Sequence, residues 1–367
     1  MIVIYFLSVI SSPLFSFVFP SNWSTYNSLF REGILFFFCV ASVVIFFLRK
    51  KDFFKIYRSQ MIILVYLGFV IVYSYLTQVK DRFLECFLLY TSGPIVFLTY
   101  TMLYGRKTRS KKDLDWINFL LLSYVFLSLL LYYFQPYLLV LSRIEDNTIY
   151  RHLYRDDTIR FFGLTFMPTT MAFLCILILF FSRKLGKILG IIGLFLTGTR
   201  LFFPGVVLGW FNSLSKKKKY CFLPIVAIFF LCGFMYFSLS RDISLRIHFN
   251  HLFIDGPKIV LENLYGVGLG NIAVFNPESD IAIESDIYLY FVQFGVVGGL
   301  SYLSIFCSLF SIYMRTPKNR FVYIAQFLLI VYFIGSLFLP LTLQRVMSNT
   351  FWLYQAILYS LGVIYEK

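Results

Sequence analysis

The chain has 367 residues, of which 59% are hydrophobic and only 14% charged, and its mean hydropathy is +0.78. Soluble domains are about 45–50% apolar and about 25% charged, so the excess is too large for a buried core alone and points to a bilayer. The net charge of +15 is explained below by membrane topology and calls for no nucleic-acid partner.

Apolar runs fall near 2–19, 33–48, 61–77, 87–104, 117–134, 164–182, 188–199, 201–214, 220–238, 287–313, 321–339 and 349–365. About 20 apolar residues cross about 30 Å of hydrocarbon as a helix. Barrel strands would alternate in polarity, and these runs are apolar on every face. The first run lacks a basic flank and a small-residue cleavage site, so it reads as a retained helix rather than a signal peptide. The expected fold class is an all-α integral membrane bundle of about twelve transmembrane helices. It forms one domain over 1–367, with long outer loops at 135–163 and 239–286. The seventh and eighth runs are short and read as a broken pair.

Short basic connections recur at every second junction: 49–58, 106–112, 183–187, 216–219 and 315–320. The positive-inside rule puts them, and both termini, in the cytoplasm. With Lys367 they hold 21 of the 33 basic residues, fourteen of them lysine. The outer segments hold ten arginines: Arg31, Arg82, Arg143, Arg151, Arg155, Arg160, Arg200, Arg241, Arg246 and Arg345. Lysine is a generic point charge, whereas the guanidinium fork grips phosphate oxygens in pairs. Single arginines at helix ends also snorkel; ten together suggest a polyanionic ligand outside. Basic loops also suit anionic membrane lipids.

Six cysteines are scattered through apolar runs without a CxxC pair, which fits small buried hydrophobes. His248 and His251 would share a helix face, but HxxH alone makes a weak metal site, so no metal is expected. Gly266 to Asn271, GVGLGN, suggests a phosphate-cradling loop. It lacks the flanking strand and helix of a dinucleotide fingerprint, and a left-handed turn explains its glycines. Glu284 and Asp286 lie where the chain re-enters the membrane. Carboxylates there are costly unless functional, although a helix N-terminus also favours them.

Four landmarks, taken in order, resemble the superfamily of O-antigen polymerases and O-antigen ligases. Arg160–Phe161–Phe162–Gly163 with Pro168 and Ala172 is similar to the family's R-x-x-G…P…A segment. Thr197–Gly198–Thr199–Arg200 resembles its T-G-S-R. Arg246 precedes Tyr265 to Asn271 as an arginine-bearing amphipathic stretch precedes G-x-G-x-G-N. Glu284–Ser285–Asp286 is followed by Gly295 and Gly298. Ligases of the family carry His-Asn where this chain has Glu284–Ser285, whereas many polymerases carry Glu-Ser. The match spans about residues 155–305, and the first half of the chain adds only topology.

The resemblance implies an all-helical fold like that of type C membrane glycosyltransferases. It implies a polysaccharide polymerase in the bacterial plasma membrane, moving a growing O-antigen or capsule chain from undecaprenyl pyrophosphate onto a new lipid-linked repeat unit at the outer face. Glu284 would be the general base, worth about 10²–10⁴ in rate. Arg160, Arg200 and Arg246 would hold the pyrophosphate and stabilise its leaving charge. His248, His251, Asp286 and Arg155 would contact the glycan. No cofactor or metal is implied, and a chain-length regulator is a partner left open. A ligase and a lipid-linked oligosaccharide flippase are the alternatives.

Overall fold

The computed structural model describes residues 2–17, 26–37, 40, 58–77, 83–103, 107–135, 137, 154–155, 158–182, 184–199, 202, 206–208, 210–211, 222–225, 227–228, 250–273, 279, 281, 283, 285–317 and 319–364. The runs 33–48, 201–214 and 220–238 lie largely outside them. In chain order the helices are α1 (Ile2–Phe17), α2 (26–37), α3 (Arg58–Leu76), α4 (Phe83–Leu103), α5 (Lys107–Leu130), α6 (Pro168–Phe181), α7 (Lys184–Thr197), α8 (Gly256–Glu262), α9 (Asp286–Arg315), α10 (Arg320–Phe338) and α11 (Arg345–Tyr359). A two-residue antiparallel pair, β1 (Tyr154–Arg155) and β2 (Thr158–Ile159), interrupts the helical order in the first long loop.

Among the described residues, four helical stretches are long and apolar enough to cross a membrane: Ser59–Leu76, Arg109–Leu130, Asp286–Arg315 and Arg320–Phe338. Shorter apolar helices follow the runs at 2–19, 87–104 and 164–182. The chain is thus a helical protein with several membrane-competent helices, and twelve spans remain an expectation. Some hydroxyls inside these helices bond to a carbonyl one turn back. Thr91 Oγ1 donates to Phe87 O at 2.7 Å and Ser301 Oγ to Val297 O at 2.7 Å. That arrangement lets a polar side chain sit in an apolar solvent without an orphaned donor.

By contacts the chain divides into two compact units, where the sequence reads as one membrane domain. The first comprises Met1–Leu48, Thr99–Arg200 and Gln344–Leu361; the second comprises Arg49–Leu98, Leu201–Leu343 and Gly362–Lys367.

In the first unit α6 and α7 form the most extensive helix pair. The buried residues of α7 are Gly186, Gly190, Gly193 and Thr197, a stripe of small side chains on one face. Gly193 lies against the Cys175 thiol, and a methyl on Gly190 would stand 2.9 Å from the Cys175 carbonyl. Small residues let two backbones approach closely where apolar burial cannot drive helices together. Helix direction is readable from contacts. Asn118, Phe181 and Tyr354 meet at one end, with Tyr354 Oη donating to Asn118 Oδ1 at 2.7 Å. Ser128 meets Leu164 at the other, and so do Thr169 and Thr170 with Gln344. Helices α6 and α11 therefore run parallel to each other and opposite to α5.

In the second unit α9 packs on α3, α10 and α8. Its 30 residues are interrupted at Gly295, which has φ 68° and ψ −174°. Residues 286–294 form a half-helix; residues 296–315 are long enough to span a bilayer at about 1.5 Å per residue.

Candidate functional site

Arg160 folds back onto the end of α7. Its Nε donates to Thr197 O at 2.8 Å and its Nη2 to Thr199 Oγ1 at 3.0 Å. The Phe161 amide donates to Leu196 O at 3.0 Å, and Thr197 Oγ1 to Leu194 O at 2.7 Å. A helix C-terminus leaves its last carbonyls without partners and carries partial negative charge. Here a guanidinium, an amide and a hydroxyl meet three of them. The chain then turns through Gly198 at φ 59° towards position 200. The first two landmarks, 37 residues apart, are thereby one local structure. Arg160 acts on the Thr197–Thr199 turn, so any hold it has on a phosphate would be shared with that task.

The turn after Arg160 is organised by residues that no motif marks. Gln135 is fully buried, and its Oε1 accepts from the Phe162 amide at 3.0 Å and the Gly163 amide at 3.3 Å. Ser128 Oγ accepts from the Leu164 amide at 3.2 Å. Pro168 begins α6 in the first turn, where its missing N–H has no helical role. Gln344 Oε1 accepts from Thr169 Oγ1 at 3.0 Å and Thr170 Oγ1 at 2.9 Å, joining the starts of α6 and α11.

Arg31 and Arg345 meet at Glu32 in this unit. Arg31 is 2% exposed and donates to Glu32 Oε1 from Nε at 3.1 Å and Nη2 at 2.7 Å. Its Nη1 donates to Ser12 Oγ at 3.3 Å, and Arg345 Nη1 lies 4.0 Å from the same Glu32 oxygen. Arg31 is therefore committed to an internal ion pair rather than presented outward.

In the second unit the glycine motif docks into the break of α9. In a continuous helix the Val296 amide would donate to the Val292 carbonyl. It donates instead to Leu264 O at 2.9 Å, while the Val267 amide takes the Val292 carbonyl at 2.8 Å and the Gly268 amide the Gln293 carbonyl at 3.2 Å. The Gly270 amide donates to Gln293 Oε1 at 3.3 Å, and Tyr73 Oη to Tyr265 O at 3.0 Å. Gly266, Gly268 and Gly270 all have φ between 82° and 89°. A methyl on Gly266 would collide with Tyr73 Oη, the Gly295 amide and the Gln293 carbonyl. The loop's amides thus complete a membrane helix and leave little for an anion. Each backbone group left unpaired in hydrocarbon would cost several kcal/mol, so the interruption of α9 and the glycine loop are two halves of one feature.

The half-helix 286–294 begins at a buried polar knot. Asp286 is fully buried, and its Oδ1 and Oδ2 each lie 2.9 Å from the Thr342 amide, with Thr342 Oγ1 donating to Oδ2 at 3.1 Å. The Asp286 amide donates to Leu339 O at 3.3 Å and Ser285 Oγ to Ser336 O at 3.1 Å, meeting carbonyls at the end of α10. Tyr290 Oη is 3.4 Å from Thr342 Oγ1. The Tyr290 ring stacks on Tyr302 at 3.6 Å and meets Tyr90 edge-on at 5.1 Å. Asp286 therefore faces Thr342. His251 is 8% exposed in the π-helical turn His251–Asp255 and sits edge-on to Tyr288, whose Oη donates to Leu252 O at 2.6 Å.

Glu284, Arg200, Arg246 and His248 lie outside the described residues, as does the side chain of Arg155. Among the described residues no cluster of three or more metal-ligating side chains occurs. The residues that sequence reasoning missed are Gln135, Gln293, Gln344, Thr342 and Tyr73. A glutamine within an apolar run, as at 293, was the available signal, since polar side chains inside a membrane are costly unless engaged. No protein-family model matches the chain, and no curated protein matches its sequence.

Proposed function

We propose that the chain is a membrane polysaccharide polymerase, joining lipid-linked repeat units at the outer face of a bacterial plasma membrane through about twelve spans with both termini inside. Undecaprenyl-pyrophosphate-linked glycans are donor and acceptor, Glu284 is the general base, and Arg200 with Arg246 holds the pyrophosphate. The acceptor hydroxyl attacks the donor's anomeric carbon. Its proton passes to Glu284 and the pyrophosphate departs with its lipid.

What supports this reading is the convergence in the second unit. Gly266 and Gly295 are 29 positions apart in sequence, yet they lie against each other and the residues beside them exchange backbone hydrogen bonds, Val267 to Val292 and Val296 to Leu264. The test is the glycan profile of a deletion strain complemented with wild type, Glu284→Ala or Arg200→Ala. Wild type restores long chains, and both variants leave single repeat units while inserting normally. Normal chain length in the Glu284→Ala strain sinks the reading.

A flippase for lipid-linked oligosaccharide is the second reading, favoured by the discontinuity of α9 at Gly295, a feature of transporter binding sites. Its loss would leave lipid-linked repeat units on the cytoplasmic side, whereas loss of a polymerase leaves them outside.

A further inference from the structure

We infer that Asp286 is a positioning residue: its clasp on Thr342 fixes the start of the half-helix 286–294, the helix that Glu284 precedes in the sequence. The inference rests on the polymerase reading and goes beyond it, because it moves Asp286 out of the glycan site and gives the buried knot a task.

The half-helix is held at both ends. At its start Asp286 takes both donors of Thr342, while its own amide and the Ser285 hydroxyl reach Leu339 and Ser336. At its end the Val292 and Gln293 carbonyls take the amides of Val267 and Gly268. Along its flank Tyr288 reaches Leu252. Three separate chain segments thus converge on nine residues. A short helix in isolation is marginal, so the rigidity of this one comes from such anchors. Asp286 holds the end that follows Glu284 and Ser285 in the chain, and a displacement of about 1 Å at a reacting group costs about 10²-fold in rate. Thr342 suits the clasp because backbone and side chain offer two donors to one carboxylate. An amide in place of Asp286 would turn one acceptor into a donor facing the Thr342 N–H.

The experiment uses the full chain in nanodiscs, wild type and Asp286→Asn, Thr342→Val and Thr342→Ser. Two measurements are made on each. The first is amide hydrogen exchange over 285–290. The second is transfer kinetics with undecaprenyl-pyrophosphate oligosaccharide extracted from the deletion strain. Asp286→Asn and Thr342→Val are expected to speed exchange there at least tenfold, and Thr342→Ser, which keeps the hydroxyl, to leave it near wild type. In the kinetics, kcat falls about 10- to 100-fold for the first two, with KM within about twofold and recovery in Thr342→Ser. Unchanged exchange in Asp286→Asn overturns the inference. So does a raised KM at unchanged kcat, which would return Asp286 to the glycan site. A wild type that transfers no glycan removes the polymerase reading and the catalytic half of this one, and the exchange measurement still decides whether Asp286 pins the half-helix. If wild type polymerises and Glu284→Gln does not, full activity in Asp286→Asn removes the positioning role alone.

Discussion

The amide of Val267 donates to the carbonyl of Val292 at 2.8 Å, occupying the place that the Val296 amide would hold in an unbroken helix. A motif that resembles a ligand-binding loop is thus a structural insert in a membrane helix.

Substituting the glycines of that junction should sort them by contact. Gly266→Ala forces a side chain into a left-handed backbone and against Tyr73, Gly295 and Gln293. A cost of about 3 kcal/mol follows from backbone strain and overpacking together. Gly270→Ala shares the backbone strain but meets only the Cys86 thiol at 3.3 Å, so it should cost about 1–2 kcal/mol. Thermal unfolding in detergent would rank the two; equal losses would show that steric contact plays no part.

Arg160→Lys should lower polymer formation strongly, by about 10²-fold. An ammonium on a flexible stem cannot serve the Thr197 carbonyl and the Thr199 hydroxyl in one fixed fork. The protein should still insert, since the charge remains. Initial rates of glycan transfer measure this, and activity within twofold of wild type would mean that the turn holds its shape unaided.

Removing the carboxylate at position 32 should be costly. Arg31 is 2% exposed, and Glu32→Ala strands its charge, destabilising the protein by about 3 kcal/mol, the low end for broken buried pairs because Glu32 is partly exposed. Arg31→Met with Glu32→Leu removes both charges and should recover most of that loss. Detergent unfolding of the single and double variants would check it, and a double variant as weak as Glu32→Ala would contradict it.

Topology can be tested without any activity. Reporter fusions after Lys367 should be active only for reporters that work in the cytoplasm. A cysteine introduced at Asp146 in a cysteine-free background should react with a membrane-impermeant maleimide added to intact cells or spheroplasts. Protection of that cysteine would invert the orientation drawn from the basic loops.

The runs at 61–77, 117–134, 287–313 and 321–339 could be read without a structure, because a bilayer demands about 20 apolar residues whatever the fold. Arg160 and the Thr197–Arg200 segment were likewise legible as landmarks, but their mutual contact was not. A hydrogen bond across 37 residues leaves no periodicity to detect. Gln135 and Thr342 escaped for the same reason: each is an ordinary polar residue whose importance lies in a distant partner, the Phe162 and Gly163 amides for Gln135 and the Asp286 carboxylate for Thr342.

Composition and the order of residue types therefore determined that the chain carries helices long and apolar enough to cross a membrane, since transfer to hydrocarbon is a property of residue types and their order. Tertiary structure decided how those residues are used. It turned the glycine motif into the missing part of α9, Asp286 into a clasp on Thr342, and Arg31 into half of an internal ion pair. Hydrogen bonds and ion pairs act over about 3 Å between groups distant in sequence, so only the folded arrangement could assign them.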